Sequence, residues 1–179
     1  MSRASSTPAA PSTGIPPYTK PGSTIAAGGS IVVPLSGTPK YVVARVSVAS
    51  ITKGTIADVA SIEPASKLKG QTVWFVTYKL TNLGPKGSDM GGISLPSVNA
   101  DNDTQGNPAG GLFGAPDIPK CKADAPDHLS VGSSVNLCQI ALTGGGARIA
   151  TVQYTDATGA VLKIPNTDYS TKSIEIKVK

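Results

Sequence analysis

The sequence predicts an all-β protein, an immunoglobulin-like antiparallel β-sandwich of about seven to eight strands behind a disordered N-terminal tail. Three observations lead there. The 179 residues include 20 glycines and 15 prolines but only 15% charged residues, which favours short strands and turns over helices. Apolar residues alternate with polar ones along several stretches. Glycine-bearing segments separate those stretches and suit reversals of antiparallel strands.

Period-two alternation justifies most of the strands. "YVVARVSVASI" places apolar side chains at even positions with Arg45 and Ser47 between them. "TVWFVTYKLTN" is the clearest case, because Trp74, Val76 and Tyr78 share one face and the single tryptophan is expected in the core. Further strands are predicted at "SIVVPL", at "ISLPSV", where proline argues for an edge or a bend, at "SSVNLCQIALT", "ARIATVQYT" and "AVLKI", and at "SIEIKVK".

The segments between the strands are of two kinds. "TGGGAR" and "DATGA" are compact connections of the type that joins antiparallel strands. Two others are longer: Thr52 to Gln71 is expected to contain one helical turn, and Asn99 to Gly132 is a long insertion that carries Cys121. Because a structureless loop of that length is uncommon in a compact domain, it is expected to be stapled or functional.

The chain divides into a linker, residues 1–23, and one domain, residues 24–179. The opening "MSRASSTPAAPSTG" is rich in Ser, Thr, Pro and Ala and offers little apolar surface, so it is expected to stay extended as a spacer. The alternative is a frayed terminus without a role. The sequence shows neither an apolar run near the roughly 20 residues of a membrane helix nor a recognisable signal segment.

The two cysteines, Cys121 and Cys138, belong to no C-x-x-C or Cys/His cluster that would indicate zinc or thiol chemistry. The simplest interpretation is a disulfide, which would persist only in an oxidising compartment. Two unrelated free thiols are the alternative. Together with the linker, the pair favours an exported protein at the cell surface or outside the cell.

Charge and motifs exclude several functions. The net charge is +5, but only three residues are arginine and no basic stripe is interleaved with aromatic residues, so nucleic acid is not an expected partner. "NADNDTQGN", with Asp101 and Asp103, has some of the oxygen ligands that calcium needs but not the register of an EF-hand, so no metal or other cofactor is expected. It also contains a glycosylation sequon.

Catalysis is not expected. His128, the only histidine, follows Asp127 in the long loop, and the sequence has no G-x-S-x-G elbow, Walker loop or metalloprotease motif. A hydrolase or metal-dependent enzyme using His128 with Asp101 and Asp103 is retained as an alternative. So is a purely architectural surface protein.

A resemblance to a known group adds to this interpretation. The succession of "YVVARVSVASITKGT", "KGQTVWFVTYKLTNLGPKG", "NADNDTQGN" and a late cysteine-bearing strand resembles the telokin-like, immunoglobulin-fold domains of unknown function of bacterial, particularly actinobacterial, surface lipoproteins, over Pro39 to Lys179. The superfamily includes a secreted immunoprotective antigen. The resemblance implies an exported sandwich with a signal peptide, a lipobox cysteine and a tether. The present sequence contains no such lipobox, and no catalytic or binding residue carries over.

The function expected from the sequence is therefore that of a non-catalytic cell-envelope module. Its partner would be a protein, a glycan or an envelope component, and a membrane would be reached only through a lipid anchor. The candidate exposed contacts are Phe75, Leu112 and Phe113, whose apolar side chains could serve recognition if they are not packed inside.

Overall fold

A computed structural model describes residues 14–36, 41–85, 95–101, 110–112, 118–121 and 129–178. Its strands are β1 (Thr24–Ile25), β2 (Ser30–Ser36), β3 (Tyr41–Lys53), β4 (Gln71–Gly84), β5 (Ser97–Ala100), β6 (Gly110–Leu112), β7 (Ser134–Gly144), β8 (Ile149–Tyr154) and β9 (Ile174–Lys177). A 3-10 helix spans Ile56–Val59, and one helical turn, α1, spans Thr158–Val161.

These strands form two sheets, in the orders β1-β9-β8-β5 and β2-β3-β4-β7-β6. The pairings are antiparallel except for β1, which runs parallel to β9. The prediction of an all-β sandwich is thereby confirmed. The strand β5 is an edge strand and begins directly after Pro96, as the proline suggested, because a residue without an N–H cannot complete a central ladder.

Alternate side chains of the two sheets form a common core. On β4, Val76, Tyr78 and Leu80 are at most 1% exposed, and Trp74 packs against the same core while remaining partly exposed. The indole Nε1 of Trp74 donates to Thr143 Oγ1 over 2.9 Å. The expected alternation thus holds on this strand, and it holds also for the residues Val42, Ala44, Val46, Val152, Tyr154, Ile174 and Ile176, all of which are buried.

The opposite face of the five-stranded sheet carries a second apolar cluster, and here one prediction was wrong. Phe75 is only 3% exposed and packs with Val59, Leu68 and Ile118, so it is not an exposed contact. The segment between β3 and β4 covers it so closely that a Cβ on Gly54 would lie 2.6 Å from the Phe75 ring. Burying a side chain of this size stabilises a fold by about 2–3 kcal/mol.

The disulfide between Cys121 and Cys138 is present, with the two Cα atoms 5.1 Å apart. It joins the segment 118–121 to β7 and belongs to the second cluster. A salt bridge of 2.8 Å between Lys120 Nζ and Asp58 Oδ1 ties the same segment to the 3-10 helix. The hydrogen bond from Lys120, followed by those from Thr55, lowers the pKa of Asp58 to about 2.

The strand expected at "AVLKI" does not form, and "DATGA" is not a hairpin connection. Asp156 Oδ1 accepts a hydrogen bond of 2.5 Å from the Thr158 amide, and the chain then makes the single turn α1. The hydrogen bonds that follow are local, with the Val161 amide donating to Ala157 and the Ile164 amide to Gly159. The apolar alternation here therefore reflects a half-buried loop rather than a ladder. The helical turn expected in Thr52 to Gln71 is confirmed as the 3-10 helix.

Candidate binding groove

The sequence predicts a linker over residues 1–23, but the structure describes the last part of it, and that part contacts the domain. Residues 1–13 lie outside the described residues, but residues 15–23, here named the strap, contact the domain. The Thr19 amide donates to the Val32 carbonyl and Thr19 Oγ1 accepts from the Val32 amide, both over 2.9 Å. The strap thereby occupies the outer hydrogen-bonding groups of Val32 on the edge strand β2.

The other end of the strap is bonded to the four-stranded sheet. Residues Lys20 to Ser23 form a turn closed by a 3.2 Å bond from the Ser23 amide to the Lys20 carbonyl. Gly22, at φ 77°, occupies the third position of this turn after a proline, which is the pattern of a type II turn. The Gly22 amide lies 3.2 Å from the Lys172 carbonyl oxygen, and the Glu175 amide of β9 donates to the Ser23 carbonyl over 3.0 Å. The strap therefore bridges the two sheets on one side of the sandwich.

A second turn faces the strap. Pro165 and Asn166 repeat the pattern of proline followed by a residue with positive φ, here 57°. Thr167 Oγ1 closes this turn by donating to the Ile164 carbonyl over 2.8 Å. Local side-chain bonds to the backbone, together with residues tolerant of positive φ, thus hold the loop between α1 and β9 in a defined conformation.

Tyr169 holds both sides together. Its ring is buried in the main core and lies edge-on to Tyr154, with the ring centroids 5.2 Å apart. Its hydroxyl donates over 2.9 Å to the carbonyl of Thr19 in the strap. Burial is the main cause that raises the pKa of Tyr169 to about 12, and the charge of Tyr18 adds to it. The phenol therefore remains a neutral donor at physiological pH.

Between the strap and this loop lies an open groove of about 960 Å³, within the size range of small-ligand sites. We call it the strap groove. Its lining combines three prolines, one tyrosine and one isoleucine with two lysines, one carboxylate and three other polar side chains: Pro17, Tyr18, Lys20, Pro21, Ile164, Pro165, Asn166, Thr167, Asp168, Thr171 and Lys172.

The charges in the strap groove are unbalanced. The ion pairs of the described residues, Glu63–Lys67 and Asp58–Lys120, lie elsewhere, so Lys20 and Lys172 are not paired within that part of the chain. The carboxylate of Asp168 is bonded by its own loop, where Ser170 Oγ donates to Oδ1 over 2.5 Å. That bond is the first cause that lowers the pKa of Asp168, so the carboxylate is ionised. Its charge is stabilised by hydrogen bonds from the protein itself.

Tyr18 contributes an aromatic ring to the groove. The side chain is neither fully buried nor fully exposed. Burial is the first cause that raises its pKa, and the neighbouring Tyr41 adds both charge repulsion and a side-chain hydrogen bond. Tyr18 therefore has a partner for its hydroxyl, while the ring remains available to the groove.

Of the residues proposed from the sequence, Phe75 and Asp101, which the structure describes, do not line this groove. Leu112 is the last residue of β6, with its side chain outside the described part, and Phe113, Asp103 and His128 also lie outside it. Asp101 is exposed, and its carboxylate accepts a 2.9 Å hydrogen bond from the Arg148 amide, a structural contact.

Two properties of the described residues bear on metals and membranes. In these ranges, no group of three or more His, Cys, Asp or Glu side chains is arranged to hold a metal ion. No helix in the same ranges has the length and apolar character needed to span a bilayer.

Sequence reasoning missed the strap groove because "GIPPYTKPGS" has no alternation and was assigned to the linker. The feature of the sequence that could have indicated the groove is a pair of turn motifs, "KPGS" and "IPNT", each with proline before a residue that tolerates positive φ. Comparison with protein-family models, curated proteins and solved structures finds no match to this chain. The resemblance to telokin-like domains thus stays an expectation, and functional inference depends on the groove itself.

Proposed function

We propose that this chain is the non-catalytic binding module of an exported cell-envelope protein and that the strap groove is its ligand site. The observation that carries the proposal is the groove's lining, which sets two lysines, neither paired with a carboxylate among the described residues, beside the flat apolar surfaces of Pro17, Tyr18 and Pro165. Ligand sites characteristically combine a mostly apolar concave surface with a few polar groups that fix orientation.

The way the groove is built supports a binding role. Both of its sides are fixed before any ligand arrives, the strap through Thr19 and Gly22 and the loop through Tyr169 and its turn. A preformed site loses little conformational entropy on binding, because the segments that contact the ligand are already ordered. The proposal requires no reacting group, only contacts.

The Cys121–Cys138 disulfide supports export, since such bonds are rare in reducing compartments. We further propose that the protein is carried out of the cytoplasm by a signal peptide and held at the surface by a lipid anchor, as the resemblance to telokin-like lipoprotein domains implies. Protease treatment of intact cells should then remove the protein. Survival of the protein until the cells are lysed would contradict an outward-facing location.

Binding in the strap groove is tested by co-sedimentation of the full chain with an insoluble preparation of bacterial cell envelope. Pro17→Trp places a bulky ring in the groove, whereas Thr52→Trp adds the same ring at an exposed position of β3. We expect the wild type and Thr52→Trp to sediment alike and Pro17→Trp to remain in solution. Equal sedimentation of the two variants, or none for the wild type, would contradict the proposal.

A further inference from the structure

We infer that the ligand of the strap groove is an acidic polysaccharide, a chain of sugar rings that bear carboxylate groups. This inference rests on the proposed function and names its ligand class. It follows from three features of the groove: two lysines that form no ion pair with the described residues, rigid apolar ring faces, and uncharged hydrogen-bonding side chains beside them.

The first feature is the placement of the two lysines. Lys20 begins the turn whose third residue, Gly22, is bonded to the Lys172 backbone, so the two lysines line the groove on adjoining segments. A Cβ on Gly22 would lie 3.9 Å from Lys172 Cβ, which shows how closely the two segments approach. Two positive charges in one groove, neither in an ion pair with the described residues, favour an anionic ligand.

The groove also contains a carboxylate, Asp168, which by itself would oppose an anion. Its oxygen Oδ1 is engaged by the amide of Ser170 over 3.1 Å and by the Ser170 hydroxyl. Because donors of its own loop already bond this carboxylate, it has fewer free lone pairs with which to accept hydrogen bonds from the lysines. The balance of charge facing a ligand remains positive.

The second feature is the set of flat apolar faces. Pro17 and Pro165 are exposed, and Tyr18 is partly exposed. A sugar ring has an apolar face of C–H groups and an edge of hydroxyls, so it can pack against such rings while its hydroxyls remain free to bond. Proline and tyrosine lose little side-chain entropy in such a contact.

The third feature is the pair of uncharged polar groups, the amide of Asn166, which donates and accepts, and the hydroxyl of Thr171, which bonds Asp168 and can still accept. Sugar hydroxyls also donate and accept, and so match both. A peptide that binds as an added strand would instead need a sheet edge, and Thr19 already occupies the outer backbone groups of Val32 on the neighbouring strand. The lining therefore favours a glycan over a peptide added as a strand.

The test is calorimetric titration of the full chain with three probes. Polygalacturonate supplies sugar rings with carboxylates, dextran supplies neutral rings, and poly-L-glutamate supplies carboxylates without sugars. We expect binding of polygalacturonate alone, weakened when salt is raised because the lysines are exposed to solvent. Poly-L-glutamate binding as tightly as polygalacturonate, or absence of polygalacturonate binding, would overturn the inference.

Matched variants locate the binding. Lys20→Gln and Lys172→Gln should each weaken polygalacturonate binding about threefold, and the double variant about tenfold. Lys79→Gln makes the same charge change at an exposed position of β4 and should bind as the wild type does. An equal loss in Lys79→Gln would indicate only nonspecific charge attraction and overturn the inference.

Failure of the ligand class can be separated from failure of the site. If dextran binds as well as polygalacturonate and Pro17→Trp abolishes both, the groove is a binding site but the acidic character of the ligand is wrong. If no probe binds while the envelope preparation still sediments the wild type and not Pro17→Trp, the ligand class is again wrong and the proposed function stands.

Discussion

Tyr169 and Thr19, separated by 150 positions in the sequence, are joined by a 2.9 Å hydrogen bond from the tyrosine hydroxyl to the threonine carbonyl. The tyrosine ring is part of the main core, whereas the threonine belongs to a segment without regular structure. This bond is therefore the point at which the core of the sandwich fixes the strap, and with it one side of the groove.

Tyr169→Phe should loosen the strap while preserving the core. The substitution keeps the ring but leaves the Thr19 carbonyl without this donor, which typically costs about 1 kcal/mol. We expect urea unfolding to show that loss and hydrogen exchange to show faster exchange of the Thr19 amide. Unchanged exchange at Thr19 would contradict the role of this bond, whatever the change in stability.

Phe75→Ala should be strongly destabilising, because the side chain is buried in the second cluster rather than displayed for a partner. Removing a buried phenylalanine ring costs about 3–5 kcal/mol. Thr52→Ala, at the exposed cross-strand partner of Phe75, should change the free energy of unfolding by less than about 0.5 kcal/mol. Similar values for the two variants in urea unfolding would contradict the burial of Phe75.

Reduction of the Cys121–Cys138 disulfide should lower the free energy of unfolding by about 3 kcal/mol, because the bond joins two residues 17 positions apart in the unfolded chain. Comparison of urea unfolding with and without dithiothreitol measures the difference. Alkylation followed by mass spectrometry provides the control, since two alkyl groups should be added only after reduction. Alkylation of the untreated protein would show that the bond is not formed.

High pH should unfold the protein through its buried tyrosines. Burial raises the pKa of Tyr78 and Tyr154 well above their ordinary value and that of Tyr169 to about 12. Because the native state holds these protons more tightly than the unfolded chain, their contribution to stability is complete below about pH 10 and is lost as the pH rises toward 12.

Each tyrosine that ionises only after unfolding contributes a slope of about 1.4 kcal/mol per pH unit above pH 10. Urea unfolding at a series of alkaline pH values measures the total slope, and Tyr169→Phe should reduce it by one such increment. Phenolate absorbance should rise fully only when the protein unfolds. Complete titration near pH 10 with the fold intact would contradict the burial of these rings.

Alternation along the chain predicted the strands whose one face meets the core, as on β4, where Val76, Tyr78 and Leu80 are buried as expected. Alternation did not predict burial where the covering segments have no regular pattern of apolar residues. Phe75 lies on the face expected to be exposed, and what covers it is an irregular connection and a disulfide-linked segment. The strap was missed for the same reason, since Thr19 is fixed by contacts with distant residues.

One segment predicted as a strand is a loop. "AVLKI" has the required alternation, but the local bonds of Asp156 and the single turn α1 divert the chain before it can pair. Short apolar alternation specifies a strand only when a neighbouring strand is available to receive its hydrogen bonds. This is why the four-stranded sheet resumes only at Ile174.

The parallel alignment of β1 with β9 has a mechanical consequence. Because both strands run in the same direction, the chain enters at Thr24 and leaves at Lys177 from opposite ends of the sheet. Tension applied between those two points would pull the two strands past each other along their length. The hydrogen bonds between the strands would then be loaded together rather than one after another. Because β1 pairs with β9 at only two positions, this alignment sets the direction in which the pair is loaded.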